Sequence, residues 1–328
     1  MRSAILGLTV VMLACGAGDK PAEAPPPPLS DAPAPAPPAA INGQKAQGIK
    51  AIEAGDAQAA KTSLEAAIKA DPRDAEAPYY LGVALERLGD KAGAETAYRA
   101  ALKLRPDFAE AAGNLGAFYI DAARFDEAVA VLKPASQKQP DRAELHTNLA
   151  LALAGKGDQG GATSEFDAAV KLSPRDATLL FTYGHQLGAW GQSEAALAKL
   201  RAARSAAGDS VDLGAAIGHE FLLLRAPTDC VAAFDVVIAR KDAAALRTER
   251  GLCKLASKDA AGAQVDFEQA VAKEPGYALA HYWLGLSLLN AKKSADGVKA
   301  LEAYLKLDPK GAKAKAAEDA IVRAKQKK

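Results

Sequence analysis

AEAPYYLGVALERLGDKAGAETAYRAALKLRPDF, residues 75–108, decides the fold. Its apolar residues recur at helical spacing in two runs, and Gly89-Asp90 interrupts them as a turn would. Gly82 and Ala94 are small enough for two helices to cross closely. Tyr98 is the large residue that fills the space beside that crossing, with Ala101 following on the same face. Pro106 stops the second helix, because proline lacks the N–H and its ring collides with the preceding turn.

The same marks return every 34 residues. Glycine stands at 48, 82, 116, 184, 218, 251 and 285, with Ala150 in the one missing place and a single 33-residue interval before Gly251. Twelve residues after each comes a small residue: Ala60, Ala94, Ala128, Ala162, Ala196, Cys230, Ala263 and Gly297. Sixteen after comes a large one: Leu64, Tyr98, Leu132, Phe166, Leu200, Phe234, Phe267 and Leu301. Proline follows at 72, 106, 140, 174, 275 and 309. Turn signals recur at Gly55-Asp56, Gly157-Asp158 and Gly191-Gln192, and Asp74, Asp107, Asp141 and Asp176 stand where they can cap a following helix. Glu76, Glu110, Glu144 and Asp212 recur in a first helical turn, where the helix dipole favours negative charge.

So many positions agreeing over eight registers resemble the tetratricopeptide repeat family, although the initial tryptophan of that pattern is absent from every unit. The resemblance covers residues 41–311 and implies an all-α, right-handed α-solenoid of eight helix-turn-helix units. The units are 41–74, 75–108, 109–142, 143–176, 177–210, 211–243, 244–277 and 278–311. Residues 312–328 read as one more helix, a cap whose Ala317, Ile321 and Ala324 cover the last apolar face. Its other face is basic, with Lys313, Lys315, Arg323, Lys325, Lys327 and Lys328, and reads either as a solvated cap or as a site for an anionic partner or lipid.

The resemblance further implies a groove formed by the first helices, which would hold an extended segment or a helix of another polypeptide. Asn114 and Asn148, equivalent in adjacent units, with Thr182 at the next, match a ladder that grips peptide backbone in some family members; a purely structural role is the alternative. Tyr79, Val83, Arg87, Phe118, Thr147, Leu151, Phe181, His185, His219, Tyr282 and Trp283 lie around it by the same reasoning. The basic clamp that other members use for acidic tails is not matched, since Ile49 stands where its asparagine would be.

The N-terminus is organised differently. MRSAILGLTVVMLAC, residues 1–15, has one basic residue and an apolar run from Ala4 to Ala14. That run is shorter than the roughly 20 residues a spanning helix needs, and reads as an export signal. Its end, Met12-Leu13-Ala14-Cys15, resembles the bacterial lipoprotein signal, which implies cleavage after residue 14 and lipidation of Cys15; a plain secretory signal is the alternative. Gly16, rather than Asp, favours the outer membrane by that resemblance. Residues 16–40 hold nine prolines and no apolar period, so they read as a disordered or polyproline II spacer.

Composition narrows the function classes. Hydrophobic residues are 49% and aromatics 5%, which suits close-packed helices and not a β-rich fold. The net charge of +1 offers no general attraction to nucleic acid. Cys15, Cys230 and Cys253 contain no CxxC spacing for zinc. Cys230 and Cys253 fall on helices expected to neighbour one another, so they read as a disulfide or as two small buried residues. His185 and His219 are 34 apart without a third ligand nearby, which makes a metal site improbable. Gly155-Lys156-Gly157-Asp158-Gln159-Gly160 matches G-x-G-x-x-G, but it follows a helix rather than a strand and reads as a turn, not a nucleotide loop. No cofactor, small-molecule substrate or catalytic constellation is expected. Arg247, Arg250 and Lys254 stand where other units are apolar; they call for acidic partners such as Glu249 or for a different packing.

The reading is therefore a non-enzymatic, lipid-anchored scaffold or assembly factor of a bacterial envelope, facing the periplasm. It is similar to repeat lipoproteins that serve pilus secretins, outer-membrane proteins, wall enzymes or motility machines. The alternative is a docking regulator of an envelope enzyme, acting through the basic tail or the Arg247 cluster.

Overall fold

The computed structural model describes residues 39–326. Cys15, the proposed signal, most of the proline-rich segment and the last two lysines lie outside them. The described chain is a series of helix pairs, the all-α repeat architecture read from the sequence. The first pair is α1 (Ala39–Glu53) and α2 (Ala57–Ala70), and the second is α3 (Glu76–Arg87) and α4 (Lys91–Leu104). Next come α5 (Ala109–Asp121) with α6 (Phe125–Lys138), and α7 (Ala143–Gly155) with α8 (Gln159–Leu172). They are followed by α9 (Ala177–Ala189) with α10 (Ser193–Ala206), and α11 (Val211–Leu223) with α12 (Pro227–Arg240). The series closes with α13 (Ala244–Ala256) and α14 (Ala260–Lys273), α15 (Ala278–Asn290) and α16 (Ser294–Leu307), and then α17 (Ala314–Gln326).

The glycine of each unit meets the large residue sixteen positions on. In the second unit a Cβ on Gly82 would come within 2.6 Å of the Tyr98 ring, so only glycine lets the two helices approach this closely. Tyr98 is fully buried, and its hydroxyl donates to Glu86 Oε2 at 2.6 Å. The pairing repeats as Gly116 on Leu132, Gly218 on Phe234 and Gly251 on Phe267. Where Ala150 takes the place, Phe166 still fills it and stacks on Tyr183 with centroids 4.7 Å apart.

Turns and stops follow local chemistry. Asp90 accepts from the Gly93 N–H at 2.9 Å and caps α4; Asp56, Asp158 and Asp259 do the same for α2, α8 and α14. Arg105, before Pro106, is extended at φ −135°, as a residue preceding proline must be. Of the four aspartates expected to cap first helices, Asp74 and Asp176 accept backbone N–H groups near the helix start. At the other two, Phe108 and Arg142 hold the cap position without a side-chain bond. Pro134 lies inside α6 without ending it, because Leu132 and Ala135 hold the helix to the core on either side.

Gly89 adopts φ 77° in the inter-helix turn, where a side chain would be strained. Lys258 holds the equivalent turn at φ 67°. Lys258→Gly is expected to raise stability by about 0.5–1 kcal/mol, the left-handed strain relieved less the extra freedom of the unfolded glycine. Chemical denaturation reads the change; a loss of stability would refute it.

Candidate partner-binding surface

First helices of successive units touch at most joints: α1 with α3, α5 with α7, α9 with α11, and α11, α13, α15 and α17 in series, whereas α5 and α9 join the preceding unit chiefly through α4 and α8. Among the described residues no two second helices make comparable contact. The stack therefore closes on the first-helix side and opens on the other, which puts the first helices on its inner face.

Most of the residues expected there are half-buried. Tyr79 lies 4.9 Å from both Tyr80 and Phe108, centroid to centroid, and burial pushes its hydroxyl up to about 12. Val83, Phe118, Leu151, Thr182 and Trp283 are half-buried on the same series of helices. Phe181 sits 6.3 Å from the His185 ring. Beyond them the inner face carries Leu222, Leu252, Leu255 and Leu286, and Leu223 is 62% exposed. These leucines were not picked out from the sequence, although Leu252 and Leu286 share the register of Val83, Leu223 that of Arg87, and Leu222 and Leu255 that of Glu86.

Other expected groove residues are tied to the scaffold. Tyr282 is 6% exposed and packs on Tyr304 with centroids 5.4 Å apart, so it belongs to the core beneath α17 and not to the groove. Asn148 is buried and donates to the Gly113 carbonyl at 3.3 Å, joining α7 to α5. Asn114 donates to the Tyr98 hydroxyl at 3.4 Å. The two asparagines therefore share a register but not a role. Thr147 donates to Ala143 O at 2.8 Å within its own helix. Arg87 is exposed, and its guanidinium donates to the Ile52 carbonyl at the end of α1.

His185 and His219 do not converge on one point; each has its own carboxylate. His185 Nδ1 is 2.9 Å from Glu220 Oε1, and His219 Nδ1 is 3.5 Å from Glu249 Oε2. Hydrogen bonding to Glu220 raises the His185 pKa above 6.5, and Glu249 does the same for His219. Such groups contribute stability that is fully present below pH 6.5 and is lost as pH rises through the raised folded values. The unfolding free energy should fall above about pH 6.5 in the wild type. In His185→Gln/His219→Gln that part of the slope should vanish, and an identical slope in both proteins would refute the assignment. Among the described residues no group of three His, Cys, Asp or Glu side chains is placed to hold a metal ion, and no helix is long and apolar enough to cross a membrane.

Arg247, Arg250 and Lys254 do find acids, but not the one anticipated. They converge on Asp266 of α14, whose side chain is 1% exposed. Arg250 Nε and Lys254 Nζ reach Asp266 Oδ2 at 2.9 and 2.8 Å, and Arg247 Nη1 lies 3.8 Å from Oδ1. Arg250 also holds Asp235 at 2.8 Å, and Arg247 holds Asp242 at 2.6 Å. Glu249 instead faces His219 on the inner side. Cys230 of α12 and Cys253 of α13 form a disulfide with Cα atoms 5.7 Å apart.

Stacked helix pairs with a continuous inner face define a helical-repeat protein. Two family profiles, both described as tetratricopeptide repeat, match residues 45–109 and 248–312, and residues 88–152. The chain belongs to the tetratricopeptide repeat family. Among solved structures it is similar to a tetratricopeptide repeat protein from Parabacteroides merdae, with 17% identity and a TM-score of 0.53, covering 76% of this chain and 98% of that one. It is also similar to PilF of Pseudomonas aeruginosa, with 20% identity and a TM-score of 0.52, covering 62% of this chain and 92% of PilF. These likenesses concern the fold. No curated protein matches the chain.

Proposed function

We propose that the protein is a non-enzymatic scaffold that binds a segment of another polypeptide on the inner face of its first helices. One observation carries this reading: the first helices close on one another while leaving aromatic and aliphatic side chains uncovered, from Tyr79 and Val83 to the 62%-exposed Leu223. Apolar surface held open on a rigid support is where a partner gains most from burial.

The experiment places a photo-crosslinking residue at Val83 or Leu223 on the inner face, and at Val236 or Val265 on the second helices, which are each 48% exposed. The inner positions should capture a polypeptide that the outer ones do not; the same products from both sets would sink the proposal. The N-terminal features support placement in a bacterial envelope, with Cys15 as the lipid anchor and residues 16–40 as the spacer. A disulfide accords with an oxidising compartment. On this reading Cys15→Ser releases the protein from membranes, and its persistence in the membrane fraction would refute the anchor.

A further inference from the structure

The inner face is not uniform in charge. The first helices of the second, third and fourth units carry Glu76, Glu86, Glu110, Asp121 and Glu144 against the single cation Arg87. That guanidinium is committed to the Ile52 carbonyl. Lys45 and Arg105 pair with Glu76, and Arg142 with Glu110. Glu86, Asp121 and Glu144 are exposed and make no ion pair among the described residues. By contrast α9 and α15 carry no Asp, Glu, Lys or Arg at all.

These three carboxylates belong to one surface with the uncovered aromatic residues. Glu144 Oε1 lies over the α5 backbone, 3.3 Å from where a Cβ of Gly113 would be. Glu110 and Glu144 both act on the Tyr79 hydroxyl. Glu86 is held above its ordinary value by burial and by the charge of Asp121 from the next unit. Burial likewise raises Asp121, with Lys91 offsetting part of the effect. Like charges gathered on a half-enclosed surface leave an unfavourable potential that a cation relieves.

We propose that the inner face of units two to four takes a basic segment of the partner, its lysine or arginine stems lying on Tyr79, Val83 and Phe118 and their charged ends meeting Glu86, Asp121 and Glu144. This rests on the inner face being the partner surface. Long cationic side chains suit it because the stem covers apolar area while the head stays near carboxylate and water. The ring faces add a further attraction for cations. From α9 onward the inner carboxylates Glu220 and Glu249 already have His185 and His219 as partners, and α9 and α15 bring no Asp, Glu, Lys or Arg, so the attraction is strongest at units two to four and sets which end of the groove the basic part occupies.

The test is fluorescence anisotropy with the full chain and two labelled peptides of equal length, alternating lysine–alanine and alternating glutamate–alanine. The lysine peptide should bind, more weakly as salt is added, and the glutamate peptide should not. In Glu86→Gln/Asp121→Asn/Glu144→Gln, all exposed positions, the lysine peptide should lose at least about tenfold in affinity. Equal binding of the two peptides, or unchanged affinity in the triple variant, overturns the inference. So does salt-sensitive self-association that the triple variant abolishes in sedimentation, since a second copy would then be the occupant. A partner crosslinked at Leu223 whose capture the triple variant leaves unchanged removes the basic segment and keeps the surface. Loss of capture at both Val83 and Leu223 in the unmutated background removes both.

Discussion

Asp266→Ala should destabilise the protein by about 3–5 kcal/mol, the cost of breaking a buried ion pair from one side. Burial pushes the Asp266 carboxyl up, and hydrogen bonds from Arg250 and Lys254 outweigh it, so the group sits below its ordinary value. It is therefore charged at neutral pH. Its contribution is present above about pH 3.8 and is lost as pH falls through the lower folded value. Without it Arg250 retains Asp235 and Arg247 retains Asp242, whereas Lys254 is left with the Gly262 carbonyl at 3.5 Å.

The second unit supplies the control. At the places of Arg250, Lys254 and Asp266 it has Leu81, Leu85 and Ala97, all packed in the core. The triple exchange Arg250→Leu/Lys254→Leu/Asp266→Ala removes the buried acid together with its two nearest cations and leaves Arg247 on Asp242. It should leave stability unchanged or raise it, because a buried ion cluster seldom outdoes apolar packing of like volume. Denaturant unfolding with a probe in α14 separates the outcomes, and a repeat array requires a local probe because its units need not unfold together. A single Asp266→Ala effect below about 1 kcal/mol would show that water, not the carboxylate, satisfies the cations.

That cluster also marks where the sequence stopped being legible. The fold was readable because each contact between Gly82 and Tyr98, or Gly251 and Phe267, recurs at a fixed separation, and a helix pair converts that separation into touching. The displaced charges of α13 were visible as departures from the pattern, but the choice between Glu249 and Asp266 depends on which side of α13 each cation points. A signal did exist. Asp266 occupies the register held by Ala97, Ala233 and Ala300, all buried, so an acid there demanded a partner.

The inner face was less legible for a similar reason. Tyr79 and Tyr282 share a register, yet Tyr79 stays half-open while Tyr282 is covered because α17 touches α15 and α16. Register fixes a direction on the helix, and the next element decides whether that direction meets water. The carboxylates of units two to four went unnoticed as a surface because each is ordinary alone. Their sum becomes visible only when Arg87, Lys45 and Arg142 are seen bonded to groups of their own.

Reduction of the Cys230–Cys253 bond should cost about 3 kcal/mol on the chain-entropy account, given a sequence separation of 23. The expected site of weakening is the joint between α12 and α13, which the bond ties across the one unit that is a residue short. Lys241 ends α12 without the proline that follows α2, α4 and α14, and Asp242 there is held well below its ordinary value, at about 2, by Arg247 and Lys273. Covalent and ionic ties thus replace a local stop signal. Cys230→Ala/Cys253→Ala is the suitable variant, because Ala60, Ala94 and Ala128 fill the place of Cys230 in other units and Ala84 and Ala152 fill that of Cys253. Faster hydrogen exchange should concentrate in α12, α13 and α14 and leave α3 to α6 unchanged. The variant should resemble the reduced wild type. Mass spectrometry without reductant that finds two free thiols, or an unfolding midpoint indifferent to reductant, would refute the bond's role. The Asp266→Ala loss should not add simply to this one, since α13 carries both the bonded cysteine and the three cations, and neighbours that share a helix couple.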